Sequence, residues 1–330
     1  MRLESLIPLI DATLYSKPEI HTFNNISVKA NKVLRGDLYI ALNATQADIN
    51  TAIENGAYGI VYDLPLLIID DEIAWLKVDS VIEAEHKLLR FHLMQKELEV
   101  FYSTEVTVAY IKMLKNSSDL LIIEENFETS SHKLWNIKSG QTLVIKEQEG
   151  LQSIFPMAER IETVTSSLSI HPVTPFESDL SLDYHYYKRL KLPKALALNF
   201  SQALTFFVAH NIPFNLANLV FPKFCDIVSC DKNLGIKDFG QGVKTLIFLP
   251  SDDYVEYFTQ SIDELAPWID YQLFVQNNEK DLGYNNVFTC SDTQNCIQGL
   301  QNNHFDYALV IGQSKALLEH VTKPLQASLF

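Results

Sequence analysis

Three stretches of this 330-residue chain carry residue types that could do chemistry. The first is Gly240-Gln241-Gly242-Val243-Lys244-Thr245. A phosphate cradle uses such residues because glycines let backbone N–H groups face the phosphates while a lysine reaches the terminal oxygens. Here the string leads into the β-run Leu246–Pro250 rather than a helix, so no helix dipole would meet a phosphate, and the spacing predicts no such site. The second stretch gathers Lys29, Lys32 and Arg35, a local positive field on an otherwise acidic protein. The third, Asp183 to Arg189 (DYHYYKR), mixes aromatic and basic side chains; it could stack a base or form an aromatic strand edge. His132, His171 and His185 stand isolated, as surface or satisfied polar residues do. Cys225, Cys230, Cys290 and Cys296 match no common zinc spacing and read as buried thiols in a reduced cytoplasm.

The elements that must position these residues are legible from Asn25 to Asp63. Leu38–Leu42 is a short apolar run entered through the turn residues Arg35-Gly36-Asp37. Ile49, Ala52 and Ile53 recur at helical spacing and stop at Asn55-Gly56, a C-cap signal, before a second buried strand at Tyr58–Tyr62. Strands follow at Leu66–Ile69 and Trp75–Val78. Ser80 and Glu83 form a capping box for a helix to about Lys96, with Ile82, His86, Leu89 and Leu93 on one face. Val100–Asn116 reads as a strand and helix, and Asp119–Glu124 and Thr142–Lys146 as parallel strands. A helix follows Leu192, and Asn215 caps the next. Beyond residue 244, strands at Leu246–Leu249, Gln272–Val275 and Tyr307–Ile311 alternate with helices at Val255–Leu265, Ser291–Leu300 and Ser314–Val321. That alternation predicts a mostly parallel, Rossmann-like sheet.

The 47% apolar content is ample for real cores, and the net charge of −15 excludes a general nucleic-acid role. No run of about 18 apolar residues exists, so no membrane span is expected, and the opening residues lack a secretory signal; the expected compartment is the cytoplasm.

The first block resembles the N-terminal, UDP-sugar-binding domain of the Mur ligases, especially those adding the third amino acid or the D-alanyl-D-alanine dipeptide to the peptidoglycan precursor. Ile26-Ser27, Gly36-Asp37-Leu38-Tyr39-Ile40-Ala41-Leu42, and Ala52 with Gly56-Ala57 carry the likeness. The departures are Lys29-Ala30-Asn31 where the family has Asp-Ser-Arg, and Ala44-Thr45-Gln46 for its Asp-Gly-His loop. The resemblance implies an α/β, three-lobed Mur-ligase-like arrangement: an N-terminal domain over 1–97, a reduced central domain without a phosphate loop over 98–243, and a Rossmann-like domain over 244–330. Ligases of this family present Gly-x-x-Gly-Lys-Thr early in the second domain. Val100–Asn116 contains no glycine, and its first charge is Glu105. The likeness returns near Leu192 and in Asp252-Asp253-Tyr254, but Ile311 and Ser314 replace a family lysine and arginine.

What the resemblance implies is therefore a degenerate, non-catalytic homologue. The ATP and magnesium of the family are expected to be lost, leaving no cofactor, no metal and no catalytic residue. The substrate-binding residues it implies are Ser27, Lys29, Asn31 and Arg35, with Ser27 reading a uracil imide edge and the cations facing a diphosphate. The competing reading is that Ser27 only ends a strand and the lysines solvate a loop. The partners implied are a UDP-sugar precursor or another cell-wall enzyme. Two alternatives remain open: an active ATP-dependent ligase of altered mechanism, and a pure protein-interaction scaffold.

Overall fold

A computed structural model describes residues 1–162, 168–222, 225–276 and 283–321, with the side chains of 127–129 excepted. The chain divides into two units, Met1–Val108 with Ser117–Ile161, and Ala109–Asn116 with Glu162–Phe330.

The first unit begins with α1 (Leu3–Leu9), β1 (Thr13–Leu14), β2 (Ile26–Ser27), β3 (Leu38–Ile40), α2 (Gln46–Glu54), β4 (Gly59–Tyr62), β5 (Ala74–Lys77) and α3 (Val81–Leu93). Its first sheet runs β1-β5-β4-β3-β2, with β2 to β5 mutually parallel and β1 antiparallel. Alternate residues of one apolar run feed two cores. Leu38, Ile40, Val61, Ala74 and Leu76 pack against α1 and α3. Tyr39, Ile60, Tyr62 and Trp75 pack against Ile49 and Ala52 of α2. Burial on both faces is why these strands read as unbroken apolar stretches.

The same unit continues with β6 (Glu99–Ser103), the first turn of α4 (Glu105–Leu114, which belongs to the second unit from Ala109), β7 (Leu120–Ile123), α5 (Phe127–Trp135), β8 (Thr142–Lys146), α6 (Leu151–Ile154) and β9 (Glu159–Arg160). A second, all-parallel sheet runs β7-β8-β6-β9. Helix α3 serves both sheets: Val81, Ala84 and Leu88 enter the first core, while Leu89 and Leu93 enter the second with Leu134, Leu143 and Ile145. The sequence pattern assigns α3 one face through Ile82 and His86, both half-buried; two-sided burial rotates the packed residues by one position.

The second unit holds β10 (Leu168–Pro172), β11 (Ser178–Leu182) and β12 (His185–Leu190) as an antiparallel meander, followed by α7 (Ala197–Ala209). Its larger sheet uses β13 (Asp226–Cys230), β14 (Ile236–Lys237), β15 (Lys244–Leu249), β16 (Tyr271–Gln276), β17 (Val287–Cys290) and β18 (Tyr307–Ile311), with helices α8 (Val255–Leu265) and α9 (Thr293–Asn302). The order is β14-β13-β15-β18-β16-β17. β15, β18, β16 and β17 are parallel, as the alternating pattern predicts, and β13 and β14 add an antiparallel edge from ahead of residue 244.

Three expected elements differ. Leu66–Ile69 is not a strand: Pro65 breaks the run, and Leu67 and Ile69 are 71% and 56% exposed. The helix expected after Asn215 is one 3-10 turn, Leu216–Asn218, whose Ala217 N–H donates to Asn215 Oδ1 at 3.0 Å. The last helix is likewise a 3-10 segment, Lys315–His320, capped by Ser314.

Candidate functional site

In a parallel α/β sheet, ligands bind outside the carboxyl ends of the strands. In the first sheet that edge presents Ser27, Asn43, Asp63 and the start of α3, and holds a cleft of about 200 Å³ lined by residues including Leu42, Asn43, Tyr62, Asp63 and Val81. The two helix N-termini here are already capped. Thr45 Oγ1 accepts from Asp48 N at 3.3 Å, and Thr45 N donates to Asp48 Oδ2 at 2.8 Å. The side-chain bond from Thr45, then its backbone bond, holds the Asp48 carboxyl below the usual range. At α3, Val81 N donates to Asp63 Oδ2 at 3.0 Å and Glu83 N to Ser80 Oγ at 3.3 Å. A phosphate at this edge would meet Asp48 and Asp63 and no uncapped helix start.

The four residues assigned to substrate binding do not converge. Ser27 ends β2, pairs with Tyr39, and spends its hydroxyl locally: it donates to the Lys29 carbonyl at 2.9 Å and accepts from Lys29 N at 3.4 Å. Lys29 is exposed beside it. Asn31 lies in the 3-10 turn Ala30–Lys32, whose Ala30 carbonyl accepts from Asn55 Nδ2 at the end of α2. Arg35 sits beyond the amino end of β3, its Cα 3.1 Å from where a Cβ on Gly56 would fall. Ser27 and Lys29 therefore lie at the carboxyl edge and Arg35 at the opposite one. The segment Ala44-Thr45-Gln46 is the start of α2; Thr45-x-x-Asp48 was the signal in the sequence that could have located the cap.

The turn between β6 and α4 is where a phosphate loop would lie, and one residue spans it. Thr104 Oγ1 accepts from Thr107 N at 3.4 Å and lies 3.1 Å from Thr107 Oγ1. Glu105 opens the helix and pairs with Lys146 at 3.6 Å. The Thr107 amide thus meets a threonine hydroxyl, and the helix start carries a carboxylate where a phosphate would lie.

The glycine-lysine string has a structural use instead. A Cβ on Gly242 would lie 2.5 Å from Cys230 N, so glycine permits the close approach of β13. Lys244 is buried, and its ammonium donates to the carbonyls of Leu300 (2.6 Å), Gln301 (3.2 Å) and Asn303 (3.0 Å) at the end of α9.

His171 is exposed on β10, and His185 stacks on Tyr187 of the edge strand β12. All four cysteines are free and buried, and burial pushes the Cys230 thiol up to about 11. Among the described residues no group of three or more His, Cys, Asp or Glu is placed to hold a metal ion, and no helix is long and apolar enough to cross a membrane.

These sheets and helices define the multidomain α/β fold of the Mur ligases. Three solved structures share it, each at 12% identity. MurF from Acinetobacter baumannii superposes with a TM-score of 0.57 over 97% of this chain and 98% of that one. MurF from Thermotoga maritima, in complex with ADP, gives 0.54 over 90% and 96%. The UDP-N-acetylmuramoylalanyl-D-glutamyl-2,6-diaminopimelate–D-alanyl-D-alanyl ligase from Acinetobacter baumannii gives 0.51 over 96% of each chain. No protein-family model and no curated protein matches the sequence.

Proposed function

We propose that this chain is a Mur-ligase-fold protein that serves cell-wall synthesis by binding or organising rather than by ATP-dependent ligation. The observation that carries the reading is the β6–α4 turn: no glycine, a helix start occupied by Thr104, and Glu105 where a triphosphate would need positive charge. Acyl-phosphate chemistry requires that nucleotide and the cations clamping its transferring phosphoryl group. The N-terminal domain is the place for a UDP-sugar precursor, through Ser27 and Lys29 at the carboxyl edge. A scaffold with no small ligand is the second reading; it is favoured by the hydroxyl of Ser27 being turned back on Lys29 and by Arg35 lying at the far edge.

Calorimetry with Mg-ATP separates catalysis from both: micromolar binding abolished by Thr104→Glu would overturn the non-ligating reading. NMR titration with UDP-N-acetylmuramic acid then divides the remaining two. Shifts at Ser27 and Lys29 support precursor binding, and their absence at millimolar ligand leaves the scaffold.

A further inference from the structure

One cavity of the first unit lies away from the carboxyl edge. It has a volume of about 640 Å³ and lies among α1, the residues leading into β2, the second half of α3 and the end of α5. Ile82, beside the carboxyl-edge cleft, and His92, in this cavity wall, are ten residues apart on α3, so the two sites are about 15 Å apart at 1.5 Å per residue. The volume lies within the ordinary range for small-molecule pockets.

Its lining carries no carboxylate, although the chain has a net charge of −15. Arg2 is held in place by a backbone bridge to Thr22 and makes no ion pair among the described residues. A cation left unpaired in an acidic protein is available to a ligand. The apolar side is aromatic: Phe91 is 43% exposed, and Trp135 is fixed by its indole N–H donating to Glu85 Oε1 at 3.4 Å and by its ring 5.1 Å from that of His92. His92 donates to the Trp135 carbonyl, and its Nε2 is buried with no partner. Burial, then Lys96, lowers the His92 pKa below its ordinary value, and its closed Nε2 leaves the ring as a packing surface for Trp135 rather than a ligand contact.

These features select one ligand chemistry. A single planar guanidinium matches a carboxylate in a two-bond fork. The C-terminal ends of α3 and α5 both reach the wall, and their partial negative charge opposes a multiply charged phosphate more than a singly charged carboxylate. We propose that this cavity binds a small aromatic carboxylate: its ring lies against Trp135 and Phe91, and its carboxylate meets Arg2. The site is independent of the nucleotide-sugar reading.

The test is ligand-observed NMR and calorimetry on the full chain with 4-hydroxybenzoate, 4-hydroxyphenylacetate and indole-3-acetate, against neutral 4-hydroxybenzamide. Saturable binding of at least one acid is expected, with the amide much weaker and UDP-N-acetylmuramic acid unable to displace it. Arg2→Gln should weaken the acid by about tenfold or more, since a hydrogen bond to a charged group is worth about 1.5–3 kcal/mol. Arg2 is exposed, so the variant should melt like the parent; Phe91→Ala, at an exposed ring, removes the aromatic contact and should also weaken the acid. The proposal is overturned if none of the acids saturates at millimolar concentration, if the amide binds equally well, or if both variants retain full affinity.

Discussion

Replacing Lys244 by methionine tests how the largest sheet holds α9. The ammonium meets three carbonyls at the C-terminus of that helix and lies 4.4 Å from the centroid of Phe305. Only the bond to Leu300 is buried; those to Gln301 and Asn303 are partly open, so water can replace them. Leaving the buried carbonyl unpaired costs about 1–3 kcal/mol. Loss of the cation from the helix C-terminus adds about 0.3–1 kcal/mol, and loss of the ring contact about 0.5–1. Opposing these is the desolvation of the ammonium, which pulls its pKa below the ordinary value and is relieved in the variant. Methionine keeps the buried methylenes, so no cavity contributes. The expected net loss is about 2 kcal/mol. At about 2–4 °C per kcal/mol, that lowers the melting temperature by about 4–8 °C. Calorimetric melting measures the total, and hydrogen exchange at Gly299 to Asn303 locates it. A variant as stable as the parent, with unchanged protection at those amides, would refute the view that this lysine anchors the helix.

His92 has a folded pKa below its ordinary value, so the unfolded chain binds more protons between the two values. Its contribution is complete above about pH 6.5 and is lost as pH falls through the lowered pKa; His92→Phe should flatten that part of a melting-versus-pH profile. Tyr110 is wholly buried, its hydroxyl has no partner, and burial raises its pKa further. Tyr110→Phe should therefore be neutral or stabilising by about 1 kcal/mol in denaturant unfolding, and a clear loss would reveal a bonded hydroxyl. Gly242→Ala would bring a Cβ to 2.5 Å from Cys230 N and 2.6 Å from its carbonyl oxygen. It should reduce soluble yield or melting temperature more than Gly240→Ala, whose Cβ meets nothing within 4 Å and whose only cost is the strain of a side chain at φ +80°. Thr45→Ala removes the α2 cap and should cost about 1 kcal/mol by the same melting assay.

By itself the sequence determined the elements whose signals are local. The continuous apolar runs at Leu38 and Tyr58, the C-cap at Asn55-Gly56, the cap at Ser80 and, as far as Ile311, the alternation after residue 244 became the expected strands and helices, because each depends on neighbours in the chain. The missing glycines between Ser103 and Glu105 were equally legible, since a phosphate cradle needs a backbone that only those residues allow. What required tertiary structure was anything set by packing or by direction. Helix α3 touches two sheets, so its buried face could not be read from one period. Leu66–Ile69 has strand composition, yet no strand among the described residues pairs with it behind Pro65. Ser27, Lys29, Asn31 and Arg35 are close in sequence, but the chain passes from the carboxyl end of β2 to the amino end of β3 between them, and a parallel connection must cross the sheet. Lys244 carried a phosphate-binding pattern, and only the fold shows its ammonium committed to the end of α9, 56 residues away at Leu300.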